Sequence, residues 1–342
     1  MMMIETLESE GKGKRRKKKN SIPVHLGNFI RAESDDTFRK AVHEGAFGHL
    51  RHARDFAPLN AQSLEGMHQD TLDSSGVFDL QAAPLRVTLP NTGTRFMSMQ
   101  VISQDHYTVD VVFAPGTHVY TQEQVGSRYV FIAIRTFVNV RARRDLQLAT
   151  QIQNQIITSQ STLGNFEIPL WDPGSLRKCR EALKSVALLG GLENPALVFG
   201  NKSEVDPIRH LFGTAFSWGE SSPKVVLSLA FMPQMNDGKT LYSLTFKDVP
   251  VEGFWSVSVY NAKGFIEPNA LEMNSLNSLA AKTNVDGSYT IQFGACQNNS
   301  TNCLPITPGW NYTVRLYRPR NEILQGSWKF PEAQPLHLGR TP

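Results

Sequence analysis

From Gly309 to Arg318 the chain reads Gly-Trp-Asn-Tyr-Thr-Val-Arg-Leu-Tyr-Arg. Trp310, Tyr312, Val314, Leu316 and Arg318 fall on one side of this run, and Asn311, Thr313, Arg315 and Tyr317 on the other. A period of two over such a length is the mark of a β-strand. Similar runs recur at Gly253–Tyr260, Leu241–Asp248 and Ser288–Phe293. The C-terminal half is therefore expected to be antiparallel β, best arranged as a sandwich. Sandwiches host lectins, enzymes and capsid proteins alike, so the strands name no activity.

Upstream, Phe38, Val42, Phe47 and Leu50 recur at helical spacing, which predicts a helix over Asn28–Arg54 with Gly45 and Gly48 weakening its second half. Alternating runs from Val77 to Val140, punctuated by Pro90-Asn-Thr-Gly and Ala114-Pro-Gly-Thr, read as a first β domain. Asp145–Gln160 carries Leu146, Ala149, Ile152 and Ile156 on one helical face. Asp172-Pro173 and Asp206-Pro207 each set a capping carboxylate before a first-turn proline. Asn236-Asp-Gly-Lys is the clearest hairpin signal. The divisions that follow are a polybasic tail at 1–24, a helix plus β domain at 25–142, a helical connection at 143–219 and a β-sandwich at 220–342.

The net charge of +4 is misleading, because Lys12-Gly-Lys-Arg-Arg-Lys-Lys-Lys19 alone supplies seven positive charges. Such a run repels itself and buries nothing, so it reads as a disordered arm. It can attract nucleic acid, an anionic lipid surface or a nuclear import receptor. No apolar h-region follows it and no window approaches ~20 apolar residues, so neither a signal peptide nor a membrane span is expected. That favours a cytoplasmic or nuclear location. Cys296 and Cys303 bracket a short polar loop and could be bonded, although the missing signal peptide favours the reduced form. No second Cys or His pair lies near them, so no metal and no cofactor are expected. Cys179 reads as a core thiol on a helix with Leu176, Leu183 and Val186.

No G-x-S-x-G, G-x-x-x-x-G-K-[ST], G-x-G-x-x-G or H-E-x-x-H motif is present, which argues against the commonest hydrolases, kinases and zinc proteases. Looser groups remain. Asp105-His106-Tyr107 sits at a strand junction, where His106 could serve as a general base with Asp105 and Tyr107 beside it, or could simply satisfy turn hydrogen bonds. His49 and His52, with Arg54 nearby, share a helical face that could hold a divalent ion if a carboxylate such as Asp70 joined it, or could simply be a solvated basic face, and Arg135 and His52 are candidates for binding charge on a ligand. Trp310 and its aromatic neighbours could form a stacking platform for sugars or could be core.

Several stretches carry a resemblance. Phe29-Ile-Arg-Ala-Glu-Ser-Asp, Asp70-Thr-Leu, Gly76-Val-Phe-Asp-Leu, Arg95-Phe-Met-Ser-Met-Gln-Val-Ile and Gly126-Ser-Arg-Tyr-Val look like the first domain of a largely bacterial two-domain family. Val205-Asp-Pro-Ile-Arg-His-Leu, Gly253-Phe-Trp-Ser-Val-Ser-Val-Tyr-Asn-Ala and Cys303-Leu-Pro-Ile-Thr-Pro-Gly-Trp-Asn-Tyr resemble its second. The family pairs the domains of unknown function DUF1254 and DUF1214. The resemblance implies a β-rich first domain, a helical connection and a jelly-roll-like second domain, with no agreed activity. Relatives often carry an export signal. Before Asp-Thr-Leu the family pattern reads Arg-Met-Asn-Arg with Tyr after the Leu, whereas this chain has Gly66, Met67, His68, Gln69 and Asp73. The loss of two arginines and a tyrosine together implies either a changed ligand or a changed structural turn.

The expected molecule is thus mainly β, with two antiparallel domains and a helical connection. The expected role is binding or hydrolysis of a small polar or carbohydrate-like molecule in an inter-domain cleft, in a homo-oligomer. The competing expectation is a capsid-like assembly subunit whose basic arm contacts nucleic acid.

Overall fold

The computed structural model describes residues 21–62, 65–113, 115–140, 142, 144–190, 192–297 and 300–336. The polybasic run lies outside them. The first domain is a five-stranded antiparallel sheet in the order Arg51–His52, Thr71–Asp79, Tyr129–Phe137, Met97–Ser103 and Thr108–Val112. A smaller sheet of Gly116–Tyr120, Leu85–Leu89 and Ile157–Ser159 shares its core, in which Leu85, Val87, Met99, Val101, Ile132 and Ile134 are buried.

The helix expected over Asn28–Arg54 runs only from Phe29 to His43. Gly45 takes the left-handed conformation (φ 88°), which ends the helix and frees the next residues to cross the sheet. There the Val77 amide bonds to the Ala46 carbonyl, and the Gly48 amide to the Val77 carbonyl. The helix Asp145–Gln153 also stops short of its expected end, because residues 157–159 pair with Leu85–Leu89 instead.

Both Asp-Pro pairs start helices. The Asp172 carboxylate accepts from the Ser175 amide at 2.7 Å, ahead of Pro173–Ala187. Asp206 accepts from the Ile208 and Arg209 amides, ahead of Pro207–Phe216. These two helices pack on Phe29–His43 through Phe29, Ala32, Leu176, Leu183 and Ala215. Arg180 reaches both Glu33 oxygens, at 2.9 and 2.6 Å. The connection is therefore built onto the first domain rather than spacing it from the second. Cys179 is only part-buried and donates to the Val24 carbonyl.

The C-terminal domain holds two four-stranded sheets. One runs Ser275–Asn277, Trp255–Tyr260, Asn311–Tyr317 and Val226–Phe231; the other runs Cys303–Leu304, Tyr289–Phe293, Tyr242–Phe246 and Gln334–Pro335. Trp310, Tyr312, Val314 and Leu316 meet Leu244, Ile291 and Phe293 in one core between them. Every alternating run read from the sequence in this half is a strand. Asn236-Asp-Gly-Lys forms a tight turn in which Asp237 accepts from the Lys239 and Thr240 amides. The strands it joins belong to different sheets, so it is a crossing between layers and not a hairpin. Cys296 and Cys303 are joined in a disulfide, contrary to the reduced state expected. Among the described residues no helix is long and apolar enough to cross a membrane.

Candidate functional site

The strand Trp255–Tyr260 is buried along its whole length. Trp255, Val257 and Val259 face the sandwich core, so Ser256, Ser258 and Tyr260 must be buried by something else. Asn311–Tyr317 behaves alike: opposite its apolar face, Arg315 and Tyr317 are 6 % and 1 % exposed. The covering element is the first domain. Phe137 packs edge-on against Phe254, whose ring stacks on Tyr317 at 4.0 Å.

Beside this apolar contact lies a polar one, centred on Asp70. Its Oδ2 accepts from the Ser256 hydroxyl at 2.6 Å and from the Tyr317 hydroxyl at 2.9 Å, so two C-terminal strands grip one N-terminal carboxylate. Its Oδ1 is buried without a hydrogen-bond partner. Burial raises the Asp70 pKa, opposed by the Arg315 charge and by the two hydroxyl donors. Arg315 donates to the Tyr260 hydroxyl at 2.9 Å and to the Gly66 carbonyl at 2.5 Å, and Tyr260 donates in turn to the Met67 carbonyl at 2.8 Å. Residues 66–70 are thereby strapped across the domain boundary. His68 Nδ1 accepts from the Asp70 amide, and burial together with Arg315 and Arg135 holds its pKa well below the ordinary value.

Next along the strap, Gln69 lines a cavity of about 710 Å³. Leu59 and Val140 of the first domain and Asn269, Leu271, Glu272, Met273 and Asn274 of the second form its walls. Leu59, Gln69 and Val140 also line an adjoining cavity of about 360 Å³, which extends past Phe56 to Leu146. Glu272 holds left-handed backbone (φ 51°), a strained state for a residue with a Cβ. The Asn269 side chain secures its loop by accepting from the Leu271 and Met273 amides.

The sequence candidates are scattered by the fold. Asp70 and Arg135 belong to the boundary network, where Arg135 pairs with Asp73 at 3.9 Å and its charge reaches Tyr317. His106 is buried, and both its ring nitrogens are engaged. Nε2 lies 2.8 Å from the Gly219 amide, which must donate to it, so Nδ1 carries the proton toward the Thr214 hydroxyl. No lone pair is left for a substrate, so the candidate base is a structural histidine, stacked between Trp218 and His210. Its neighbours diverge: Asp105 pairs with Arg31 at 2.7 Å, and Tyr107 stacks on His210. His52 Nδ1 bonds to the Ser74 hydroxyl. Arg54 holds the end of the helix Asp145–Gln153 through Thr150, Gln153 and Asn154, so it is not a free cation. Trp310 is wholly buried in the sandwich core and offers no platform to a ligand.

Ser256 and Arg315 escaped the sequence reading, and Tyr260 and Tyr317 entered it only as aromatic neighbours of Trp310. The available signal was the polar face that recurs on two strands, Ser-x-Ser-x-Tyr at 256–260 and Arg-x-Tyr at 315–317.

Comparison with family models matches residues 47–124 to "Protein of unknown function (DUF1254)" and residues 233–321 to "Protein of unknown function (DUF1214)". The chain carries a DUF1254 domain followed by a DUF1214 domain. The Asp70 network joins the two, with Gly66, His68, Asp70 and Asp73 from DUF1254 and Ser256, Tyr260, Arg315 and Tyr317 from DUF1214. No curated protein matches. A crystal structure of a Vibrio parahaemolyticus protein aligns over 91 % of this chain and 97 % of its own, with a TM-score of 0.70 and 17 % identity. That likeness is one of fold. An uncharacterised protein from Burkholderia cenocepacia aligns over 86 % of this chain and 84 % of its own, with a TM-score of 0.49 and 12 % identity.

Proposed function

We propose that this protein binds a small, hydroxyl-rich polar molecule in the cleft between its DUF1254 and DUF1214 domains. One observation carries the reading: a cavity of about 710 Å³ is walled by both domains and has Gln69 in its lining, next to the buried Asp70. Gln69 and Asn274 can donate to and accept from hydroxyls, while Leu59, Val140 and Met273 offer apolar contact to a ring face. This mixture suits a carbohydrate-like ligand. The family departures support the same place, since Gly66, His68, Gln69 and Asp73 all lie on the strap or beside it. A changed ligand preference relative to other family members follows from that position. The reading is of binding alone, because His106 has no free nitrogen to act as a base. The Cys296–Cys303 bond favours an oxidising compartment for the folded protein.

The test is a thermal-shift and calorimetric screen of the full chain against sugars and polyols, repeated with Val140→Trp to fill the cleft and Gln69→Ala to remove its amide. Selective binding to the folded state raises Tm. The expected result is a shift with one sugar class that both variants reduce. A panel that never shifts Tm, or a shift untouched by Val140→Trp, would overturn the reading.

A further inference from the structure

The strand Val226–Phe231 is the outer strand of its sheet, and its sequence, Val-Leu-Ser-Leu-Ala-Phe, contains no charge and no proline. Edge strands in soluble proteins are ordinarily kept short, charged or interrupted, because their unpaired backbone groups recruit other strands. The other edges among the described residues obey that rule. Arg51–His52, Ser275–Asn277, Cys303–Leu304, Gln334–Pro335 and Ile157–Ser159 are two or three residues long, while Thr108–Val112 carries the charge of Asp110 and Gly116–Tyr120 the polar side chains of Thr117 and His118. Val226–Phe231 alone is both long and unprotected.

We propose that this strand is a dimer interface, pairing antiparallel with its own counterpart in a second copy of the chain. The ladder fixes which groups are available. The Tyr317 amide bonds to the Phe254 carbonyl, away from the edge strand, so the opposing Val226 sits in a non-hydrogen-bonded pair. Alternation then turns Leu227, Leu229 and Phe231 inward and leaves Ser228 and Ala230 with N–H and C=O directed outward. A two-fold axis through Leu229 sets Ser228 opposite Ala230 of the second copy, and Ala230 opposite its Ser228. Each of these pairs exchanges both N–H···O bonds. The register is self-complementary and brings only small side chains together on the outer face.

The surroundings suit the same occupant. A groove of about 420 Å³ runs along Leu227–Phe231, flanked by Pro195, Ile323 and Leu324, with Glu193 and Asn194 at its polar margin. Met232 and Met235, 73 % and 47 % exposed, continue the apolar strip beyond the strand. Pairing joins two four-stranded sheets into one continuous sheet and removes the open edge from both.

Sedimentation equilibrium on the full chain, with Ala230→Pro and Ala230→Lys, tests this. Proline at Ala230 removes an outward N–H and no bond within the sheet, and lysine adds a charge at an exposed position. The expected result is a dimer whose dissociation constant rises roughly tenfold or more in both variants, with far-ultraviolet circular dichroism unchanged. If Ala230→Pro disturbs folding, Ala230→Lys still decides. Register is read separately: in a Cys179→Ser background, a short thiol cross-linker should join Ser228→Cys chains to Ala230→Cys chains more efficiently than it joins either variant to itself. A chain that is monomeric at every concentration, or a dimer that Ala230→Lys leaves intact, would overturn the proposal.

Discussion

Asp70 carries its carboxylate into a place that water does not reach, and the far domain answers it with Ser256, Tyr317 and the charge of Arg315. An acceptor that loses a buried donor keeps its desolvation cost, so Tyr317→Phe should destabilise the protein by about 1–3 kcal/mol even though its ring still stacks on Phe254. Urea denaturation would check this, and a loss near zero would mean that the hydroxyl contributes nothing. His106 supports a pH prediction. Burial, with help from His210, holds its pKa well below the ordinary 6.5, so below that pH the unfolded chain binds a proton that the folded one refuses. Stability should therefore fall as pH drops through 6.5. His68 adds to the loss for the same reason. In His106→Phe, the fall in Tm between pH 7.5 and 5.5 should be smaller than in the parent, despite a lower Tm at both. An equal fall would show that His106 takes up its proton in the folded state as readily as in the unfolded one. The Asp-His-Tyr triplet was legible as a local cluster. That its imidazole turns inward was not, because Thr214 and the Gly219 amide lie more than a hundred residues away.

At the level of elements, strands were easier to read than their surroundings. The alternation at 310–317 is real, yet towards Tyr317 both of its faces are buried, one by the sandwich and the other by the first domain. Period-two patterning separates two faces and says nothing of what covers each, so it set Arg315 and Tyr317 on one side of the strand without showing that the first domain lies against them. Helix ends were misjudged where tertiary pairing won: residues 46–48 could have continued a helix but bond to Val77 instead. That crossing depends on Gly76. A Cβ there would stand 2.5 Å from the His49 carbonyl oxygen, a backbone atom with little room to retreat. Gly76→Ala should therefore cost roughly 1–3 kcal/mol, as overpacking does in a tight core. Hydrogen exchange should localise the damage to the Ala46 and Val77 bonds. Full protection there, with unchanged stability, would show that the chain shifts aside freely.

For the whole molecule, the question is what makes two β domains behave as one body. Apolar contact between Phe137, Phe254 and Tyr317 supplies attraction without direction. Direction comes from Arg315, which binds the Gly66 carbonyl directly and the Met67 carbonyl through the Tyr260 hydroxyl, while its charge offsets that of Asp70. Removing the cation while keeping the bulk, as in Arg315→Met, leaves the Gly66 carbonyl without its donor and Asp70 without its compensating charge. Breaking one side of a buried charged pair costs about 3–5 kcal/mol. That loss falls on the boundary, so calorimetry should show the parent unfolding in one transition and Arg315→Met in a broadened or divided one. The pH dependence has a definite sign. Without Arg315 the folded-state pKa of Asp70 rises further, while the unfolded chains titrate alike, so the variant's deficit should grow as pH climbs through the parent's already raised Asp70 pKa, above the ordinary 3.8, and lose this contribution below it, where the folded acid is neutral in both proteins. Asp70→Asn in the same background should then recover part of the lost stability at neutral pH. A single, unshifted transition in Arg315→Met would mean that the aromatic contact alone couples the domains, and that the polar strap serves the cleft rather than the fold.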